Sequence, residues 1–456
     1  THMANMVMGI AFGTAATILK KGVLGLKGTY QYVELDDLES DRPKQFPVVN
    51  NRYSIANSTN FSSIPGSPVA YWASETIQEV FQHATPLGEI GQPRQGLATS
   101  DNNRFLRLWH EVDLNKVGFG IEDSEEAQVS GNKWFPYNKG GEFRKWYGNQ
   151  DYLVNWEHDG LEIRNNVDSR GRQRSRPQNT QYYFREGITW SFVSSSRFGV
   201  RYTPRGFIFD VGGSSLFPKV DRLFYILGFM CSKLGHEFLK YLNPTLNFQV
   251  GNIASLPIMI DENQIDTVTG LVQQCIERSK HDWDTFEDSW DFQRHPLLVH
   301  KDGSSIEHAF NNWSDFAEEQ FQQLKANEEE LNRIFINIYG LEDELTPEVE
   351  DDDITIRRAD RERDVRSFIS YAVGCMFGRY SLDEEGLVYA GGDFDSGQYE
   401  SFPVVEDNIL TILDDEYFDN DIVSRFVDFV KVTFGPEMLE QNLEYIADSL
   451  RRSASD

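Results

Sequence analysis

Near residue 260 the spacing of apolar residues changes, and that change limits the fold more than any other feature of the chain. Upstream, over 86–222, short runs such as Trp190–Val193 and Gly206–Phe209 lie between turns of Gly, Asn and Ser, the pattern of short strands. Downstream, apolar residues recur every three or four positions, as amphipathic helices require. Helices are expected over Ile265–His281, Ile306–Tyr339, Arg357–Phe377, Ile422–Phe434 and Pro436–Arg451. The second carries Phe310, Trp313, Phe316, Phe321, Leu324, Leu331 and Ile334 inward, with a break expected near Asn327 and a stop at Gly340. A single helix over Asp221–Asn243 joins the two textures, ended by Asn243-Pro244, and Leu256–Ile260 reads as an edge strand. Ahead of these, Tyr30–Glu34 alternates like a strand, and Ser74 is placed to cap a helix over Glu75–His83. Thr1–Met3 have the look of a cloning remnant; Met6–Gly13 suits a buried strand or turn, and its abrupt start suits a domain cut from something longer. The expected class is therefore α+β, a β-rich part followed by a mainly helical one.

Charge divides the chain at nearly the same place. The whole carries 43 Lys and Arg against 72 Asp and Glu, a formal net charge of −29. Taken as one number, that opposes a nucleic-acid partner, because phosphate binding needs cations. Yet residues 1–160 carry 14 basic and 19 acidic side chains, and residues 161–260 carry 13 and 6. Residues 261–456 carry 16 and 47, so the acidity sits at the helical end and the middle is basic. The exclusion of nucleic acid therefore holds for the end and not for the middle. A charge excess read by itself is equally a solvated face.

The chain also lacks familiar chemistry. It has no dinucleotide-binding or Walker A glycine pattern, no Gly-x-Ser-x-Gly elbow and no His-Glu-x-x-His. Proline never follows proline, so the Asn-Pro-Pro-Tyr signature of amino-methyltransferases is missing. Cys231, Cys275 and Cys375 are far apart and fall within apolar helical runs, which makes them core residues rather than a disulfide or zinc set. His110 beside Glu111 and His281 beside Asp282 read as surface pairs, and Asp393 to Glu400 as a solvated loop whose spacing departs from an EF-hand. No catalytic and no metal-binding residue is assigned. No apolar run is long enough to span a membrane, and the odd, scattered cysteines suit a cytoplasmic protein, associated with the nucleoid if it holds DNA.

The positive signals lie between 91 and 252. The turn from Arg94 to Phe105 offers Arg94, Gln95, Thr99, Asn102, Asn103 and Arg104, side chains whose donors and acceptors match base edges. Lys133, Lys139, Arg144 and Lys145 are interleaved with Trp134, Phe135, Tyr137, Phe143, Trp146 and Tyr147. That mixture suits phosphate contact and stacking, and equally an aromatic core overlaid by basic stems. Arg170, Arg172, Arg174 and Arg176 alternate along a polar loop over Asp168–Thr180, where a packing role has nothing to pack against. Asn149, Arg197 and Arg201 complete the candidate DNA-binding set.

Longer strings carry a resemblance. Residues 92–99 and 106–109, then 134–149, with 51–57, 64–72, 242–252 and 370–382 in support, resemble the PglX family, the adenine-specific DNA methyltransferases of type 1 BREX phage-defence systems. Residues 246–257 also resemble the segment that closes target recognition domains in type I and type IIG restriction enzymes. The resemblance runs from near residue 5 to the end and implies the C-terminal portion of such an enzyme. It implies a remnant of the methyltransferase-proximal region over 1–85, a target recognition domain over 86–260 and an acidic helical C-terminal domain over 261–456. It implies double-stranded DNA as partner of the middle domain, a methyltransferase domain in cis holding S-adenosylmethionine, and other BREX subunits. No cofactor is assigned to this chain, which is expected to be inactive alone. The competing expectation is a protein-interaction or scaffold module of a defence complex, without sequence-specific DNA binding of its own.

Overall fold

The computed structural model describes residues 17, 18, 27–39, 42–193, 197–243, 245, 247–412 and 421–452. The readings made for Met6–Gly13 and for Pro244 lie outside these residues.

The fold is α+β. Strand β1 (Lys27–Tyr30) pairs antiparallel with β2 (Ser54–Asn57), so the strand expected over 30–34 lies earlier, ending where the alternation begins. Helix α1 (Glu75–His83) starts where expected: the Ser74 hydroxyl accepts the Ile77 N–H at 3.1 Å, satisfying a donor the first turn leaves free. After β3 (Thr85–Pro86), two four-stranded sheets form the middle of the molecule. Their strands are β4 (Gly91–Arg94), β5 (Leu106–Leu108), β6 (Trp134–Asn138), β7 (Tyr152–Asn155), β8 (Gly187–Trp190), β9 (Val200–Thr203), β10 (Ile208–Phe209) and β11 (Ser215–Pro218). One sheet runs β9-β8-β11-β4 and is antiparallel throughout. The other runs β10-β6-β7-β5, with only β10 and β6 parallel. All four residues of β8 are buried, so its sheet is covered on both faces and the strand ends at Trp190 instead of running on to Val193.

Helices α2 (Leu223–Cys231) and α3 (Lys233–Leu242) replace the single helix expected over 221–243. The apolar spacing continues across the junction, but the backbone at Ser232 is extended, with ψ 164°. The free Lys233 N–H of the new helix is met at 2.9 Å by Oδ1 of Asn332, a cap supplied from 99 residues away. Helix α2 is apolar nearly all round, as a central helix must be, and lies between the β8 sheet and two later helices, α4 (Ile265–Asp284) and α5 (Ile306–Tyr339). The stretch after α3 reaches β12 (Pro257–Ile258), which pairs with β3, the edge position a proline allows.

Helix α5 is 34 residues long, about 51 Å at 1.5 Å per residue. It does not break at Asn327. That side chain is buried and bonded on both sides, from Gln323 at 3.0 Å and to Gln274 of α4 at 3.3 Å, so its polarity is satisfied within the helix pair. Gly340 ends the helix in the left-handed conformation, φ 65°, which glycine adopts without penalty. Helices α6 (Arg361–Met376), α7 (Ile422–Phe434) and α8 (Leu439–Ser449) follow.

The largest core gathers Ile77, Trp190, Val200, Leu216 and α2 with Val272 of α4 and Leu331 and Phe335 of α5. It therefore runs across residue 260 without interruption. A second core fills the β6–β7 sheet around Phe135, Trp156 and Phe184, and a third joins Ile306 at the start of α5 to Phe368, Phe429 and Phe434. Cys275 and Cys375 are buried, and desolvation raises the Cys375 thiol to about 12, the environment of a packing residue.

Candidate nucleic-acid interface

Two loops form the exposed polar surface of the β-rich body. The first leaves β4 at Arg94 and passes Gly96 against the backbone of Phe209, so closely that a Cβ there would sit 1.8 Å from the Phe209 carbonyl oxygen. Leu97 then anchors the loop in the core. Asp101 caps a short helical turn, accepting from the Arg104 N–H at 3.1 Å, and this turn presents Asn102, Asn103 and Arg104 to solvent. Thr99 is buried; its hydroxyl donates to Asn102 Oδ1 at 2.5 Å and orients that side chain.

The second loop is built on Asp168. Its carboxylate accepts the N–H groups of Arg170 and Arg172 at 2.8 and 2.9 Å and the Arg172 Nε at 2.8 Å. Those bonds, led by the Arg172 backbone, hold the carboxyl below its ordinary range. Val167 bridges Gln173, making a small closed hairpin whose arginines at 170, 172, 174 and 176 are all exposed.

The loops are fastened together. Ala98 and Arg176 exchange both backbone hydrogen bonds, at 3.0 and 2.8 Å. Ser175 is buried and donates to the Thr99 carbonyl at 2.5 Å, and Ser100 donates to the Arg174 carbonyl at 2.8 Å. Gln178 and Asn179 donate to the carbonyls of Gly96 and Gln95 at 3.1 and 2.9 Å. The backbone polar groups are thus satisfied between the loops, which leaves the exposed side chains of Arg170, Arg174, Arg176 and Asn103 to meet a ligand, while Asp168 holds Arg172 and Thr99 holds Asn102. Arg94 lies with its guanidinium 5.3 Å from the Tyr182 ring, next to Gln95 at the edge of this surface. Arg104 and Lys133 share Glu162 at 3.4 and 3.8 Å, and all three are half-exposed.

The remaining candidates lie elsewhere, at the seam with the helical body or within the β-rich core. Arg144 pairs with Asp282 at 3.2 Å and stacks on Trp283. Lys145 pairs with Glu328, which also accepts the Trp146 indole N–H at 2.7 Å; both charges are buried. Arg197 pairs with Asp353 and donates to the Asp352 carbonyl at 2.6 Å. Lys139 binds Asp210 at 2.8 Å beside the Tyr137 hydroxyl. Asn149 has its side chain turned onto the Glu142 carbonyl at 3.0 Å. Arg201 is 1% exposed, and desolvation lowers its guanidinium to about 10. A buried cation cannot reach a phosphate, so Lys145 and Arg201 are structural groups of this fold. Asp282, read as surface from its neighbour His281, is buried as well, held also by Arg357 at 3.3 Å.

Sequence reasoning passed over Tyr182, Arg185 and Arg205. Arg185 lies over the same Tyr182 ring as Arg94, and all three residues line or adjoin one open cavity with Gln92 and Lys219. Their signal was weak because they are single cations separated by core strands. Among the described residues no three His, Cys, Asp or Glu side chains gather as a metal would require, and no helix is long and apolar enough to cross a membrane.

No family model matches the chain. The chain is similar to the Adenine-specific methyltransferase PglX of Lacticaseibacillus casei (strain Zhang), 44% identical over 455 residues, which cover 96% of this chain and 37% of that protein. It is also similar to the Adenine-specific methyltransferase BrxX of Escherichia coli O9:H4 (strain HS), 35% identical over 471 residues, covering 97% of this chain and 37% of that protein. The chain thus spans little more than a third of the length of the curated relatives it matches.

Proposed function

We propose that this chain, a relative of PglX and BrxX matching a portion consistent with their C-terminal part, holds and reads duplex DNA for adenine methylation in BREX anti-phage defence. The observation that carries the reading is the fastened loop pair. It sets Arg170, Arg172, Arg174 and Arg176 beside Asn102, Asn103 and Arg104 on one unit, with the backbone bonds made internally. The arginines would hold phosphates and the Asn102 turn would meet base edges, while a target adenine leaves the stack for a catalytic part carrying S-adenosylmethionine in the rest of such a protein. A salt titration of duplex binding tests this. The affinity is expected to fall with a log–log slope of roughly −0.9 for each phosphate contact. A flat salt dependence, or no binding at low salt, removes the reading.

A second role falls to the helical body. Its residues 261–456 keep a large acidic surplus even though Asp282, Glu328 and Asp353 are engaged at the seam. That surplus fits a basic protein partner, such as another subunit of a defence complex. Capture of a purified basic subunit that survives mutation of the loop arginines supports it; capture that vanishes with them does not.

A further inference from the structure

A cavity of about 430 Å³ opens where the β-rich and helical bodies meet, away from the fastened loops. Its walls are aromatic. Phe119 is 39% exposed and its ring centroid lies 5.2 Å from that of Trp290 at an angle of 53°, and the Phe207 ring lies 6.1 Å from Trp290 at 33°. Tyr147 lines the cavity as well. One polar side chain lines it from within: Gln150, 4% exposed, whose amide meets the Tyr147 hydroxyl at 3.2 Å with one end. The amide nitrogen at the other end has no hydrogen-bond partner among the described residues and still meets solvent, so a donor stands ready at the cavity wall. At the mouth stands Arg205, whose ion pair with Glu122 spans 3.7 Å between two exposed side chains and is easily exchanged. Arg205 also lines the neighbouring cavity that holds Tyr182 and Arg185, so cations continue from one opening to the other.

We propose that this cavity binds a single nucleobase, stacked on Trp290 with Phe119 against its edge, its polar edge on the Gln150 amide and its phosphate on Arg205. Flat aromatic walls with one amide match a planar heteroaromatic ring that carries donors and acceptors on its rim. The volume suits one nucleoside rather than a peptide segment. An organic cation is the other guest of an aromatic cage, but it would want a free carboxylate here. The carboxylate at the rim, Asp291, faces Lys280 across an exposed 3.4 Å pair, and Arg205 at the mouth opposes a cationic guest. The base comes either from a free nucleotide or from an unpaired position in a strand. The second source rests on the DNA reading above, and the first does not.

The test uses the full chain and the fluorescence of 2-aminopurine, which stacking quenches. Three probes are titrated: 2-aminopurine deoxyribonucleoside monophosphate, a duplex with one bulged 2-aminopurine, and the same duplex fully paired. Quenching of the monophosphate or the bulge is expected, about tenfold weaker in Gln150→Leu and lost in Trp290→Leu. Phe119→Ala, at an exposed position, serves if Trp290→Leu does not fold. Bulge quenching without the monophosphate assigns the site to strands, and monophosphate quenching without any duplex binding assigns it to free nucleotides and removes the DNA reading. Paired duplex bound with a steep salt slope while neither other probe is quenched overturns the pocket and leaves the DNA reading intact. Quenching untouched by all three substitutions, or displaced equally by choline, also overturns it.

Discussion

The arginines of the two loops and the cations at the seam have the same chemistry and opposite surroundings. Arg170, Arg172, Arg174 and Arg176 stand in solvent on a backbone that is satisfied without them. Lys145 and Arg144 lie against carboxylates contributed by α4 and α5. Part of the basic excess of the middle, at Arg197 and Arg222, and part of the acidic excess of the end are two halves of one internal contact, which Arg144 and Lys145 join from ahead of it. The cations left over on the loops, and those lining the open cavities such as Arg185 and Arg205, are available to an outside anion.

The largest effect that separates the classes is on stability. Lys145→Ala strands the Glu328 carboxylate, which burial already pushes towards its neutral form, and is expected to cost about 3–5 kcal/mol in denaturant unfolding. The double change Lys145→Met with Glu328→Gln, which keeps an acceptor for the Trp146 indole N–H, is expected to recover most of that loss. If Lys145→Ala unfolds like the parent and loses duplex instead, the two classes merge. Next comes the loop triple Arg170→Gln, Arg172→Gln and Arg174→Gln. Here the salt slope of duplex binding is expected to shrink by up to roughly 2.7, at 0.9 for each contact, with stability within about 0.5 kcal/mol of the parent.

Acid tests one buried group of the helical body. His295 is buried against Phe368 and Tyr371, and desolvation lowers its imidazole to about 3. The unfolded chain takes up that proton near 6.5 and the folded chain does not. The stability is therefore present above pH 6.5 and lost as the pH falls from there towards 3, by about 1.4 kcal/mol at pH 5.5. His295→Asn keeps a helix cap for the Leu297 N–H and is expected to flatten this part of the pH profile of the denaturant midpoint. The smallest effect belongs to Arg222, paired with Glu262 at 2.9 Å across an exposed part of the seam. Arg222→Gln is expected to cost less than about 1 kcal/mol, measurable by a double-mutant cycle.

Local signals in the sequence located several elements closely. Ser74 before Glu75, Gly340 after Tyr339 and the bounds of Ile422–Phe434 rest on caps and periodicity that act within a turn. The break at Ser232 was not legible, because the apolar spacing passes through it and its cap comes from Asn332. The same distance in sequence hid the fate of Lys145. Its partner lies 183 residues on, and a run of aromatics and cations looks alike whether it faces water or Glu328. The arginine loop was legible because nothing apolar surrounds it, whereas its attachment to Thr99 and Ser100 depends on hydrogen bonds between segments some 75 residues apart.

The shared core bears on how such a molecule changes over generations. Val272, Leu331 and Phe335 lie beyond residue 260 yet complete the packing of α2 and, through it, of the β8 sheet. A body that borrows its neighbour's side chains to close its interior cannot be traded between relatives as a cassette cut at that point. The tips of the loops can be rewritten freely, since Asp168, Ser175 and Leu97 fix their bases.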